Sequence, residues 1–221
     1  MSSSPVAEFA REQMVSQQIR AWDVLDEDIL NLFRRLPREQ FVPAAYRDLA
    51  YADTQVPLPQ GEHMLAPSVA GRILQALDVK PGEAVLEAGT GSGFLSACFA
   101  LQGARVRSLE IHADLAGQAR SNLAAAGVPG VDVIHADFFS QLDAPARFDA
   151  IAVTGSLPLP DPRIEALLKP GGRLFVVVGE GAAMEACLVT GGASGERRQT
   201  SLFETVLDPL AHALRAGHFR F

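Results

Sequence analysis

The chain is short of the residue types that staple extracellular folds or build metal sites. Its 221 residues include 2 cysteines, 1 tryptophan, 2 tyrosines and 5 histidines. Cys98 and Cys187 allow at most one bridge and form neither a CxxC pair nor a Cys/His cluster of zinc spacing, so both read as core thiols and no metal site is expected. No apolar run approaches the roughly 18 residues of a membrane span. The N-terminal stretch has neither the basic nor the apolar segment of a secretory signal, so a soluble cytoplasmic protein without a membrane partner is expected. Positive charge is also scarce. Lys and Arg number 19 against 26 Asp and Glu, a net charge of −7, which argues against nucleic acid as a partner. There is no internal repeat, low-complexity tract or dividing linker. With 48% hydrophobic residues the length suits one substantial core carrying additions.

Residues 6–36 follow a helical pattern. The stretch opened by Asp26, Glu27 and Asp28 carries Ile29, Phe33 and Leu36 on one face, with Arg34, Arg35 and Pro37 closing it as dipole and capping rules expect. Residues 37–67 turn proline-rich yet keep Phe41, Tyr46, Tyr51, Val56 and Leu58, which marks an ordered, packed loop with one helical turn at 43–46. A helix is expected from Pro67, with Val69, Ile73, Leu74 and Leu77 inward, ending near Lys80, Pro81 and Gly82. Strands at 84–87, 105–111, 131–135, 148–153 and 173–178 then alternate with helices at 94–101, 113–126 and 162–168. Such alternation gives a parallel sheet covered on both faces. Two last segments, 184–190 and 200–207, flank a glycine-rich turn at 191–195 and read as an antiparallel pair, for about seven strands in all. The expectation is an α/β, Rossmann-like, doubly wound sheet with an N-terminal helical extension.

What is plentiful is glycine, 19 residues, and its sharpest cluster is Val85-Leu-Glu-Ala-Gly-Thr-Gly-Ser-Gly-Phe94, a strand running through three alternating glycines into a helix. Glycine there lets the backbone turn tightly and a ligand approach at the carboxyl edge of the sheet. The dinucleotide fingerprint needs glycines at first, third and sixth positions, but counting from Gly89 the sixth is Phe94. Glu87 at the strand end would oppose a pyrophosphate and suits a cationic amino group. Glu110 ends the next strand, where a carboxylate can accept from both ribose hydroxyls, and Asp137 follows the third strand, placed to meet an adenine amino group. This Glu-x-Gly-x-Gly-x-Gly arrangement with two later acids resembles the seven-stranded S-adenosylmethionine-dependent methyltransferases. The resemblance implies S-adenosyl-L-methionine as cofactor, held by Glu87, Gly89, Thr90, Gly91, Gly93, Glu110, Ile111, Asp137, Phe138 and Met64.

The likeness narrows over nearly the whole chain. Met14-Val-Ser-Gln-Gln-Ile19, Pro37-Arg-Glu-Gln-Phe-Val-Pro43, Ala50-Tyr-Ala-Asp53, Pro57-Leu-Pro59, Phe148-Asp-Ala-Ile-Ala-Val-Thr154 and Leu168-Lys-Pro-Gly-Gly-Arg-Leu174 are similar to the protein-L-isoaspartate O-methyltransferase family. The last of these recurs across methyltransferases, whereas the Arg-Glu-x-Phe-Val-Pro and Ala-Tyr-x-Asp pieces are particular to the family. It implies methylation of the free carboxylate of isoaspartyl residues in damaged proteins or peptides, the first step of their repair. A carboxylate of pKa about 4 is already ionised at neutral pH, so such chemistry needs no general base. It needs an aligned oxygen partly stripped of water. The resemblance also assigns residues 1–80 to the N-terminal helices and acceptor loop, residues 81–221 to the cofactor core, and Thr154, Gly155 and Ser156 to the acceptor side.

One departure stands out. The family loop reads Gly-Gln-Thr-Ile-Ser-x-Pro with its serine hydroxyl at the active site, and this chain has Gly61-Glu-His-Met-Leu-Ala-Pro67. Leu65 occupies the serine position and His63 the threonine position, which makes His63 the nearest substitute donor. A hydrogen bond to a charged group contributes roughly 1.5 to 3 kcal/mol, so its loss costs about ten- to a hundredfold in rate. Glu62, in place of glutamine, adds negative charge beside an anionic acceptor. Three readings stand at this point: an isoaspartyl methyltransferase of reduced activity, a same-fold methyltransferase with a less anionic acceptor, and a cofactor-binding protein without catalysis.

Overall fold

The computed structural model describes residues 5–143, 147–192 and 196–215. Helix α1 (Pro5–Gln13) runs into a wider turn at Met14–Ile19 and a tight one at Arg20–Trp22, and Asp23 at φ 59° ends the run in the left-handed region. The helical pattern of residues 6–36 is therefore two helices. The second, α2 (Glu27–Arg35), starts where Asp26 accepts from the backbone N–H groups of Asp28 and Ile29, and it buries Ile29, Leu30, Leu32 and Phe33. The proline-rich loop is ordered, with short turns at Arg38–Gln40 and Ala44–Leu49 and a small hairpin of β1 (Val56–Pro57) and β2 (His63–Met64). Helix α3 (Pro67–Leu77) has no cap from Ala66; Asp53 Oδ1 instead accepts from Ser68 N at 3.1 Å, tying the loop to the helix start. It ends at Asp78 in the left-handed region, just short of Lys80.

The core follows as β3 (Ala84–Ala88), α4 (Phe94–Leu101), β4 (Arg105–Glu110), α5 (Ala113–Ala125), β5 (Val131–His135), β6 (Phe148–Leu157), α6 (Pro162–Glu165), β7 (Leu168–Glu180), β8 (Ala183–Gly191) and β9 (Arg197–Glu204). The seven strands lie in the order β5-β4-β3-β6-β7-β8-β9, parallel from β5 to β7 and antiparallel thereafter. Several expected segments shift: the strand at 148–153 runs on to Leu157, the helix at 162–168 stops at Glu165, and two further strands move. The strand expected at 173–178 begins at Leu168, which pairs with Phe148. The one expected at 200–207 begins at Arg197, because pairing with β8 continues to Gly191, and it stops at Glu204. Of the turn expected at 191–195, residues 193–195 lie outside the described residues.

Side chains of β3 alternate between two cores. Val85 joins the cluster that also holds Met14, Phe33, Leu74, Phe94 and Phe99, whereas Leu86 joins Leu109, Ile151, Val153 and Leu174 on the other face. The N-terminal segment and the glycine-loop helix thus share one core, sealed by Phe94 between Phe33 at 5.8 Å and Phe41 at 5.5 Å. The same period of two puts Glu87 on the face of Val85, under α4, where it is fully buried. Chain order reverses between β3 and β6, and that switch point leaves a crevice beyond their carboxyl ends.

Candidate active site

The turn after β3 is built by backbone shape. Gly89 sits at φ +93°, and a Cβ there would collide with Thr154 Oγ1, so the crossing of this turn against the end of β6 admits glycine alone. Thr154 Oγ1 lies 2.8 Å from the Ala88 carbonyl and 2.7 Å from that of Gly89, so its single proton is shared between backbone acceptors. Beneath the turn runs a chain of hydroxyls. Thr90 Oγ1 lies 2.6 Å from Ser108 Oγ, Ser108 donates to Glu87 Oε2 at 2.6 Å, and Ser96 donates to the same oxygen. Glu87 Oε1 is buried with no hydrogen-bond partner. Burial pushes this carboxyl up to about 7, against the lowering effect of the Ser108 and Ser96 hydroxyls.

Glu110 ends β4 almost fully buried and anchors the turn from the side: Oε2 accepts from Gly91 N at 2.8 Å and Oε1 from His112 N at 3.1 Å. Asp137 caps the turn after β5 by accepting from Phe139 N at 3.0 Å, and its second oxygen lies 2.8 Å from His212 Nδ1.

Two cavities meet at the turn. The larger encloses about 740 Å³ of empty space, open mouth included, and is lined by Gly89, Gly91, Glu110, Ile111, Asp137, Phe138, Thr154 and Gly155 of the expected set, together with Glu62, His63 and Leu65. The smaller, about 380 Å³, is lined by Met64, Leu65, Glu87, Gly89, Thr90, Gly91 and Thr154, together with Arg38. Leu65, His63 and Thr154 line both, so they stand where the two spaces join.

Two expected residues lie elsewhere. Gly93, at φ +84°, lets α4 pack so closely on α5 that a Cβ would meet that of Ala119 at 3.3 Å. Ser156 is buried and holds the chain after β9, its N–H donating to Asp208 O at 2.8 Å and its carbonyl accepting from Leu210 N at 2.9 Å. That chain segment, with Leu207, Asp208, Pro209, Leu210 and Ala211 in the cleft wall, is the part sequence reasoning missed. It is held in the wall by Gln55 Nε2 donating to Val206 O at 2.6 Å and by Asp208 Oδ2 at 3.0 Å from His63 Nδ1. Pro209 hints that the sheet ends before it, but nothing local announces contact with a residue 50 positions upstream.

The cleft is acidic. Glu62, Glu110, Asp137 and Asp208 all line it, and burial together with neighbouring Asp208 raises the Glu62 carboxyl above the usual carboxylate range, despite His112 at 3.5 Å. A cationic ligand fits such a wall better than an anionic one.

The family model for protein-L-isoaspartate(D-aspartate) O-methyltransferase matches residues 9–213. A protein-L-isoaspartate O-methyltransferase of Koribacter versatilis is 35% identical over 213 residues, covering 95% of this chain and 96% of the relative. One from Methanoculleus marisnigri is 41% identical over 170 residues, covering 76% and 77%. Among solved structures, a Plasmodium falciparum protein described as an enzyme of this kind, in complex with S-adenosyl-L-homocysteine, superimposes with a TM-score of 0.77 at 22% identity, covering 90% of this chain and 97% of that one.

Proposed function

The chain belongs to the protein-L-isoaspartate O-methyltransferase family, and on that premise we propose that it methylates isoaspartyl carboxylates slowly, with S-adenosyl-L-methionine as cofactor and Leu65 limiting the rate. The residues present fit that cofactor. The Gly89 turn leaves the close-approach surface that a Cβ would fill, and Glu87 Oε1 is a buried acceptor awaiting a donor. Glu110 would hold the ribose hydroxyls, Asp137 and Phe138 the adenine, Glu87 the ammonium group, and Gly89, Thr90 and Gly91 the chain between them, with Met64 as an apolar wall. When bound, the cofactor supplies a sulfonium methyl group; a carboxylate oxygen gains a C–O bond as the C–S bond breaks, giving a methyl ester and a neutral thioether.

The protein's own part is to bind, align and dry. Leu65, at the junction of the two cavities, excludes water from the acceptor oxygen but offers it no hydrogen bond. Thr154 has its proton on backbone carbonyls, and His63 is turned by Asp208. Acceptor alignment therefore rests on shape, on His63 and on the backbone near Gly155, which is what supports a rate about ten- to a hundredfold below that of a serine-bearing site. No helix of the described residues is long and apolar enough to cross a membrane, in keeping with damaged cytoplasmic proteins or peptides as substrates. The four acids lining the cleft favour one second reading, an acceptor less anionic than isoaspartate.

The observation that carries the proposal is Leu65 at the join of both cavities. Incubating the protein with methyl-labelled cofactor and matched isoaspartyl and aspartyl peptides tests it. Base-labile methyl ester on the isoaspartyl peptide alone supports the reading; equal background on both peptides sinks it.

A further inference from the structure

The amino ends of the strands border a second open space, away from the glycine turn at their carboxyl ends. On β4, Val106 belongs to the core shared with α4 and Leu109 to the opposite one, so Arg105 and Arg107 stand on the Leu109 face. Among the described residues the connection from β5 to β6 holds one tight turn, Phe138–Gln141, where a doubly wound sheet usually gains a covering helix. That face keeps a shallow groove of about 1090 Å³, open side included, whose lining includes Arg105, Arg107, Asp132, Arg147, Phe148 and Lys169.

Four cations thus face one lining carboxylate, on a chain whose net charge is −7. Arg107 Nε lies 3.5 Å from Asp132 Oδ2, and Lys169 Nζ lies 2.7 Å from Oδ2 of Asp149. The other two cations have no carboxylate partner among the described residues. Arg105 Nη2 donates to Gly82 O at 3.1 Å, and the Arg147 guanidinium lies 5.2 Å from the centroid of the Phe148 ring. Like charges gathered this way repel one another, and an anion bridging them relieves the repulsion.

We propose that this groove docks an acidic segment of a partner protein in extended conformation. The cations run from β4 across β3 to the starts of β6 and β7, which is three strand spacings, roughly 14 Å, or the length of about four residues of extended chain. Such spacing suits a row of carboxylates, each taken by a cation of its own, better than one compact phosphate. Exposed ion pairs contribute little singly, so affinity comes from several acids engaged together. A nucleic acid fits less well. Phe148, the one aromatic residue of the lining, is buried beside Arg147 and offers no face on which a base could stack, and the net negative charge opposes a long polyanion. Because the groove sits at the opposite end of the strands from the cleft, a partner held there leaves the cleft free.

Fluorescence polarisation of the full chain tests the proposal with three labelled probes: an oligoglutamate peptide, an oligoglutamine peptide of the same length, and an oligothymidylate of the same charge. The glutamate peptide is expected to bind at low salt, to loosen at least tenfold at high salt, and to bind far better than the glutamine peptide. Arg105→Gln and Arg147→Gln should each weaken it about threefold and together about tenfold. Asp132→Asn should tighten it two- to threefold, since it removes the acid that competes for Arg107. Thermal melts of these surface variants should match the unmutated protein, and Asp132→Asn still decides the matter if the double variant does not fold. The proposal is overturned if the glutamate peptide binds no better than the glutamine peptide, if the double variant holds it as tightly as the unmutated protein, or if Asp132→Asn weakens it. Tighter binding of the oligothymidylate, lost in the same double variant, would also overturn it and assign the groove to phosphates.

Discussion

Replacing Glu87 by Gln should stabilise the free protein while weakening its hold on the cofactor. The carboxyl is fully buried, with both donors, Ser96 and Ser108, on one oxygen and no partner on the other. Burial moves it from an ordinary 4.5 to about 7. A shift of that size corresponds to about 3 kcal/mol of differential interaction between the two protonation states. Because the folded value is the raised one, the folded state binds more protons between those two values, so stability is fully present below the unfolded value and is lost as pH rises through about 7. Glutamine keeps an acceptor for the serine hydroxyls and removes the titration. Thermal melts of both proteins without ligand, at pH 5 and pH 8, isolate the effect, since every other group titrates alike in the two. The variant's advantage should grow by about 2 to 3 kcal/mol between the two conditions, a Tm gain on the order of 5 to 10 °C for a chain of this length. In the same experiment, added S-adenosylhomocysteine should raise the Tm of the unmutated protein more than that of the variant. An equal difference between the proteins at both pH values would refute the assignment of a charged, uncompensated Glu87.

Other expectations follow from the same geometry. Gly89→Ala should lower S-adenosylhomocysteine affinity at least tenfold in calorimetry, because the new Cβ displaces Thr154 Oγ1 and strains a φ of +93°; unchanged affinity would contradict the turn's role. Glu62→Gln should lower the KM for an isoaspartyl peptide by about threefold at low salt, with the gain shrinking at high salt, since it removes one of the acids facing the acceptor. His63→Ala frees Asp208 and the cleft-wall segment that carries it, so stopped-flow should show S-adenosylhomocysteine leaving several-fold faster; an unaltered off-rate would mean that segment does not gate release.

The sheet and its glycine turn were legible because their signals are local. Alternating apolar strands, the run from Glu87 to Gly93 and the acids Glu110 and Asp137 each occupy one element, and the elements meet at the switch point of the fold. What the sequence hid is long-range. Ser156 captures Asp208 and Leu210 across half a hundred residues, and Arg38 reaches Ala50 and Leu65 from a loop whose motif marks the family but not the contact. Gly93, read from the glycine motif, and Ser156, implied by the resemblance, do not line the cavities: Gly93 packs against Ala119 and Ser156 holds the segment after β9. Pattern also joined α1 and α2 into one helical stretch, since a single left-handed residue, Asp23, leaves little trace in hydrophobic periodicity.

The central claim is that Leu65 limits acceptor alignment in an otherwise complete methyltransferase site. Steady-state methyl transfer to one isoaspartyl peptide, compared between the unmutated protein and Leu65→Ser, tests it most directly. The account predicts a slow but isoaspartyl-specific unmutated enzyme and a kcat/KM raised about ten- to a hundredfold by the serine. An unchanged or lower kcat/KM in Leu65→Ser, with S-adenosylhomocysteine binding intact, would contradict it.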